Sequence, residues 1–176
     1  MSNNNDVYAN FLYEFNNFNY FNYSNIIFLC IGTTRLIGDS YGPIIGEILK
    51  NNIKHPKVTV IGNIKENVNA NNIEYKINYI RNKFKNPYII SIDSALSNKF
   101  LLGKVYLVNN TLNVGKALDK GLIKVGNLSI KGVVGINQKD AIKNFEVLKK
   151  VKREMIYDLS KTTSNFILKS IKSLNL

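Results

Sequence analysis

The sequence predicts an α/β domain in which a mostly parallel sheet lies between layers of helices. Three observations carry that reading. From Asn25 onward, short apolar runs alternate with amphipathic segments, the pattern of successive βα units. The first run, IIFLCIG at residues 26–32, is continuously apolar, as strands buried on both faces are. A length of 176 residues suits one domain with a core of its own.

Each element follows in order. IIFLCIG is the first strand, and GPIIGEILKNN, apolar at 44, 45, 48 and 49, is the first helix. KVTVIGN reads as a second strand, NANNIEYKINYIRNKF as a second helix, and PYIISIDSA as a third strand starting after Pro87. GKVYLVNN and LSIKGVVG are further strands, joined by the Gly/Asn-rich NNTLNVGKALDKGLIKVGN as a long loop or hairpin. Beyond Gly135, Ile142, Phe145, Leu148 and Val151 give a helical pattern among many lysines, and a break near SKTTSN sets off a last helix, FILKSIKSL. Residues 26–176 thus form a single α/β domain. In residues 1–25, rich in Asn and aromatic side chains, Tyr8, Phe11, Leu12, Phe15 and Phe18 share one helical face, which predicts a short helix docked on that domain.

The formal charge of +12 keeps acidic partners, nucleic acid or an anionic protein, in view. Abundant Asn, Ile and Lys are also what AT-rich coding produces, so basicity alone selects no partner. The densest basic stretch runs from Lys139 to Arg153, with Lys149, Lys150, Lys152 and Arg153 as the candidate surface for an anionic partner and a solvated helix face as the simpler reading. The single cysteine, Cys30, lies inside an apolar run and reads as a packed thiol in a reduced compartment. The start MSNNNDVYANFLYEF has neither the basic opening nor the apolar stretch of a signal peptide, and no apolar run reaches bilayer length. The expectation is a cytoplasmic protein without a membrane partner.

In a parallel sheet, ligands bind beyond the carboxyl ends of the strands. Two acids belong there: Asp39, in the loop after the first strand, and Asp93, at the end of YIISID, where a charge interrupts an apolar strand. The Asp39 loop lacks the Gly-x-Gly of a dinucleotide fingerprint and the Gly-Lys-Ser/Thr of a phosphate loop. Taken singly, Asp39 reads as a helix cap ahead of Pro43 and Asp93 as the start of an Asx-turn. Taken together, two carboxylates at one rim either share a proton or hold a cation. In the first case an ionised acid takes a proton from water while its protonated partner polarises a carbonyl; in the second both ligate a divalent ion. Arg35, Ser40 and Ser94 are the candidates for supporting this pair, Gly32 and Gly42 for close backbone approach. Lys104 and Lys131 flank strands and receive no role.

CIGTTRLIGDSYGP, IISIDSAL, GKVYLV and IKGVVGIN ahead of NFEVLKKVKREM together resemble the YyaC family of sporulation proteins, over roughly residues 26–172. That family is similar to the germination protease of spore-forming bacteria and, more remotely, to hydrogenase maturation endopeptidases. The resemblance implies a three-layer α/β/α phosphorylase/hydrolase-like fold and a role in sporulation, in the forespore. It also implies that Asp39 and Asp93 match the proposed catalytic pair of the germination protease, which acts on small acid-soluble spore proteins. In the maturation endopeptidases the same two positions help bind nickel in the target, together with a histidine.

The only histidine here, His55 in KHP, follows the first helix and belongs at the opposite edge of the sheet, so the expected site holds no metal and needs no cofactor. Thr34 stands where the family pattern GTDR carries an acid. Two function classes follow. One is an aspartate-dependent endopeptidase acting on a protein or peptide substrate. The other is a non-catalytic sporulation factor binding DNA or an acid-soluble spore protein through the basic helical face. A homo-oligomer is compatible with both.

Overall fold

The structure, a computed structural model, describes residues 22–108, 112–114 and 123–174. The expected docking helix in residues 1–25 falls almost wholly outside them. Strand β1 (Asn25–Cys30) leads through a 3-10 turn (Ile37–Asp39) into helix α1 (Tyr41–Asn52). β2 (Val58–Ile61), α2 (Ile73–Lys83) and β3 (Pro87–Ser97) follow, then β4 (Val105–Val108). A hairpin of β5 (Leu112–Val114) and β6 (Ile123–Val125) precedes β7 (Leu128–Ile136). Helices α3 (Ala141–Lys150) and α4 (Arg153–Ser173) close the described chain.

The central sheet has the order β2-β1-β3-β7-β4, parallel except for β4, which runs antiparallel to β7. Helices cover both faces, as alternating βα units require. One layer packs Tyr41, Ile45 and Leu49 of α1 with Ile156, Leu159, Ile167 and Ile171 of α4 against Phe28, Ile90, Ile92 and Ile130. The other lays Ile73, Ile77 and Ile80 of α2 on Ile27, Leu29 and Ile89. Alternate residues of one strand thus serve opposite layers, which is why IIFLC is apolar without a gap.

Two readings of the chain need correction. The break placed near SKTTSN does not exist: α4 is a continuous 21-residue helix. Ser160, Thr163 and Ser164 look like helix breakers in isolation, yet they are buried against α1. Thr163 Oγ1 and Ser164 Oγ donate to the carbonyls four residues back, both at 2.8 Å, and Thr163 Oγ1 also meets the Tyr41 hydroxyl at 2.8 Å. The basic stretch, conversely, is not one helix, because the backbone at Val151 and Lys152 is extended between α3 and α4.

Strand order matters for the site. From β1 the chain moves to β2 on one side and then to β3 on the other, so the first loop and the third strand diverge at a topological switch point, where α/β sheets open a crevice.

Candidate active site

The sequence between β1 and α1 folds back on itself. Gly32, with φ of 138°, makes the reversal; a Cβ there would lie 2.1 Å from the backbone oxygen of Asp39. Thr33 N–H then donates to that same Asp39 oxygen at 3.1 Å and to the Asp39 carboxylate at 2.9 Å. Gly42, whose Cβ would fall 2.1 Å from the Ile31 oxygen, lets the start of α1 press on the end of β1.

Asp39 therefore does not cap α1. The capping position, Ser40, makes no side-chain cap bond, and its hydroxyl donates instead to the Ile37 carbonyl at 2.6 Å. The Asp39 carboxylate points to β3, where the Ser94 hydroxyl donates to it at 3.3 Å. Ser94 thus touches the acid from a strand, not from a supporting loop. The same correction applies to Asp93: β3 runs to Ser97, so no Asx-turn begins there. β1 ends beside Ile92, and Asp93 is the first residue of β3 to project past it.

Electrostatics distinguish the two acids. Asp39 is pushed up to about 6 by burial first and by the Asp93 charge second, against the pull of the Thr33 and Ser94 hydrogen bonds. Asp93 is also raised by burial, and the ammonium of Lys131, donating to Asp93 Oδ2 at 2.8 Å, opposes that rise. The Asp93 charge thus acts on Asp39, and the member whose charge lifts the other is Asp93.

Arg35 and Asp39 line one cavity of about 510 Å³ with Lys65, Asn67, Asn69 and Asn72 of the β2–α2 connection. Asn67 accepts from Thr34 N–H at 3.1 Å and donates to the Asn63 and Ile64 carbonyls at 2.8 and 3.0 Å, so this asparagine-rich segment is a built wall. On the other flank of the loop, Thr34 and Ser40 border a cavity of about 700 Å³ whose isoleucines, Ile37, Ile44, Ile64 and Ile156, face a rim of Arg153, Glu154, Tyr157 and Asp158.

Other candidates lie elsewhere. His55 precedes β2, whose Val58 pairs with Ile26 near the start of β1, at the edge opposite the acids. Among the described residues no group of three or more His, Cys, Asp or Glu is arranged to hold a metal. Cys30 is fully buried, and burial raises its thiol far above its usual range. Lys149 pairs with Glu146 at 2.9 Å and lies over the Phe145 ring; Lys150, Lys152 and Arg153 are exposed around the junction of α3 and α4.

Sequence reasoning missed Lys131 and the asparagine wall. Lys131 had a signal: like Asp93, it is a single charge inside an apolar strand, and two opposite charges of that kind are candidates for one cross-strand pair. The wall had none, since abundant Asn is equally a product of base composition.

A family model described as "Protein of unknown function (DUF1256)" matches residues 1–166. The chain belongs to the DUF1256 family. Within the curated proteins, it is 36% identical over 112 residues to "Uncharacterized protein YyaC" of Bacillus subtilis, an alignment covering 64% of this chain and 54% of that one. The chain thus spans about half the length of the curated relative it matches. Its fold is that of the hydrogenase maturation proteases. The [NiFe] hydrogenase maturation protease HycI of Thermococcus kodakarensis superposes with a TM-score of 0.55 at 15% identity, over 87% of this chain and 96% of that one. The maturating endopeptidase HybD of E. coli superposes with a TM-score of 0.50 at 11% identity, over 85% and 93%. Among the described residues no helix is long and apolar enough to cross a membrane.

Proposed function

We propose that this DUF1256 chain is an endopeptidase in which Asp39 and Asp93 divide the work of activating water and protonating a peptide carbonyl. The observation that carries the reading is the placement of two acids at the switch point of the sheet, Asp39 from the β1–α1 loop bonded to Ser94 of β3, and Asp93 next to Ser94 on the same strand. At equal burial a structural acid would be expected to sit on a helix cap or to be neutralised locally; Asp39 does neither. Asp39 instead lines a cavity whose amide-rich wall suits a peptide main chain, with a second, partly apolar cavity across the loop for a side chain.

The resemblance in sequence to the YyaC family, itself similar to the germination protease, is what suggests small acid-soluble spore proteins as the proposed substrates, sporulation as the proposed setting and the forespore cytoplasm as the compartment. Purified full-length chain incubated with such proteins is expected to cut them at internal peptide bonds, seen as new termini by mass spectrometry. Asp93→Asn is expected to slow cutting roughly 10²–10⁴-fold, the usual worth of a positioned acid or base. Intact substrate after prolonged incubation with wild type across the acid-to-neutral range would reject the proposal.

A further inference from the structure

Asp93 does not stand alone on its strand. Register places Lys131 of β7 directly beside it and Tyr106 of β4 directly beside Lys131, so the three side chains form a row on one face of the sheet. The Lys131–Asp93 contact is 2.8 Å long, with the two side chains only 18% and 21% exposed. Holding a long cationic side chain in so sheltered a place costs ordering entropy and hydration. An apolar pair of similar volume would join β3 and β7 as well or better. The charge pair is therefore poorly explained as a device for stability, and its acid is the one whose charge acts on Asp39.

We propose that Lys131 is a positioning residue of this site: its ammonium engages Oδ2 of Asp93 and holds that carboxylate ionised and aimed, making Asp93 the base and Asp39 the acid. The assignment deepens the peptidase reading, and its chemical steps rest on that reading. In attack, the water oxygen bonds to the peptide carbonyl carbon while its proton passes to Asp93 and the proton on Asp39 passes to the carbonyl oxygen. In collapse, the C–N bond breaks, Asp93 returns its proton to the leaving nitrogen, and Asp39 recovers one from a hydroxyl of the intermediate. Both acids end as they began. Ionisable groups acting around Asp93 include Lys131 from β7, Tyr106 from β4, Asp39 from the loop and Tyr41 from α1; Lys131 is the cation bonded to its carboxylate.

The test follows the Asp93 carboxyl carbon by ¹³C NMR through a pH titration of the full chain, in wild type, Lys131→Met and Lys131→Arg. Loss of the ammonium is expected to raise the Asp93 titration by about one to three pH units, the size of an adjacent opposite charge, and Lys131→Arg to restore most of it. Lys131→Gln, which keeps a hydrogen bond to Oδ2 without the charge, serves if the methionine variant does not fold, and the same rise is expected. An unchanged Asp93 titration in a folded uncharged variant overturns the proposal whether or not the protein cuts peptides. With a cleaved substrate in hand, the rate is expected to fall as pH rises through about 6, where Asp39 loses its proton; a rate that climbs there would exchange the two roles and overturn the assignment.

Discussion

Asp39→Asn is expected to give a protein that is inactive yet more stable than wild type at neutral pH. The carboxyl of Asp39 is partly buried and raised to about 6 from its ordinary 3.8. An acid whose folded pKa is raised destabilises the fold once ionised. That penalty is absent below the ordinary carboxylate value, grows as pH rises toward 6, and is complete above it. Asparagine removes the charge while its side-chain oxygen still accepts from Thr33 N–H, the 2.9 Å bond of the wild type. The expected gain at pH 7–8 is about 1–3 kcal/mol, which allows for the residue's partial exposure to solvent. Chemical denaturation of both proteins at a series of pH values checks this: the advantage of the variant should shrink as pH falls from 6 toward 4. Activity should drop by roughly 10²–10⁴-fold, as for a missing acid–base group. A residue that costs stability in the resting protein and is nonetheless present is what a site retained for chemistry looks like.

Gly32→Ala is expected to act through structure instead. A methyl at position 32 would lie 2.1 Å from the backbone oxygen of Asp39 and 3.0 Å from Pro43 Cδ, on a residue whose φ of 138° side chains rarely adopt. Backbone strain and overpacking together are expected to cost roughly 3–5 kcal/mol. That is a large share of the 5–15 kcal/mol typical of a whole domain. The loop can escape only by swinging Asp39 away from Ser94, so whatever fraction folds should also be inactive. A thermal melt alongside the cleavage assay checks both. A variant that melts with wild type and cuts at the wild-type rate would mean that the loop does not close on Gly32 as described.

The parts of this molecule legible in its sequence are those set by local pattern. The apolar run ending in Gly32, the helix after Pro43 and the strand containing Asp93 all rest on periodicity and on residue types with few conformational options, and the fold class follows from their alternation. Less legible were features decided by tertiary packing. The hydroxyls of Ser160, Thr163 and Ser164 read as a helix break until α1 supplies the burial that holds the helix through them. The pattern PYIISIDSA ends at Ala95, two residues short of the observed β3, because nothing local shows the partner strand that carries it to Ser97. In fact β3 continues alongside β7, and Lys131 supplies the opposite charge directly across the ladder. Read without that pairing, Lys131 has no role. Asp39 and Asp93 were recognisable as candidates by type and topology, but the difference between them is a product of burial and neighbours, which no spacing encodes.

Whether Asp39 and Asp93 act as one pair is tested most directly by a single titration. The ¹³C carboxyl signal of Asp39 should be followed against pH in wild type and in Asp93→Asn. In wild type it should titrate near 6. Removing the neighbouring charge should lower that value by roughly one unit while burial keeps it above the ordinary range. An Asp39 that titrates at the same pH in both proteins would contradict the pair, and the proposed chemistry with it.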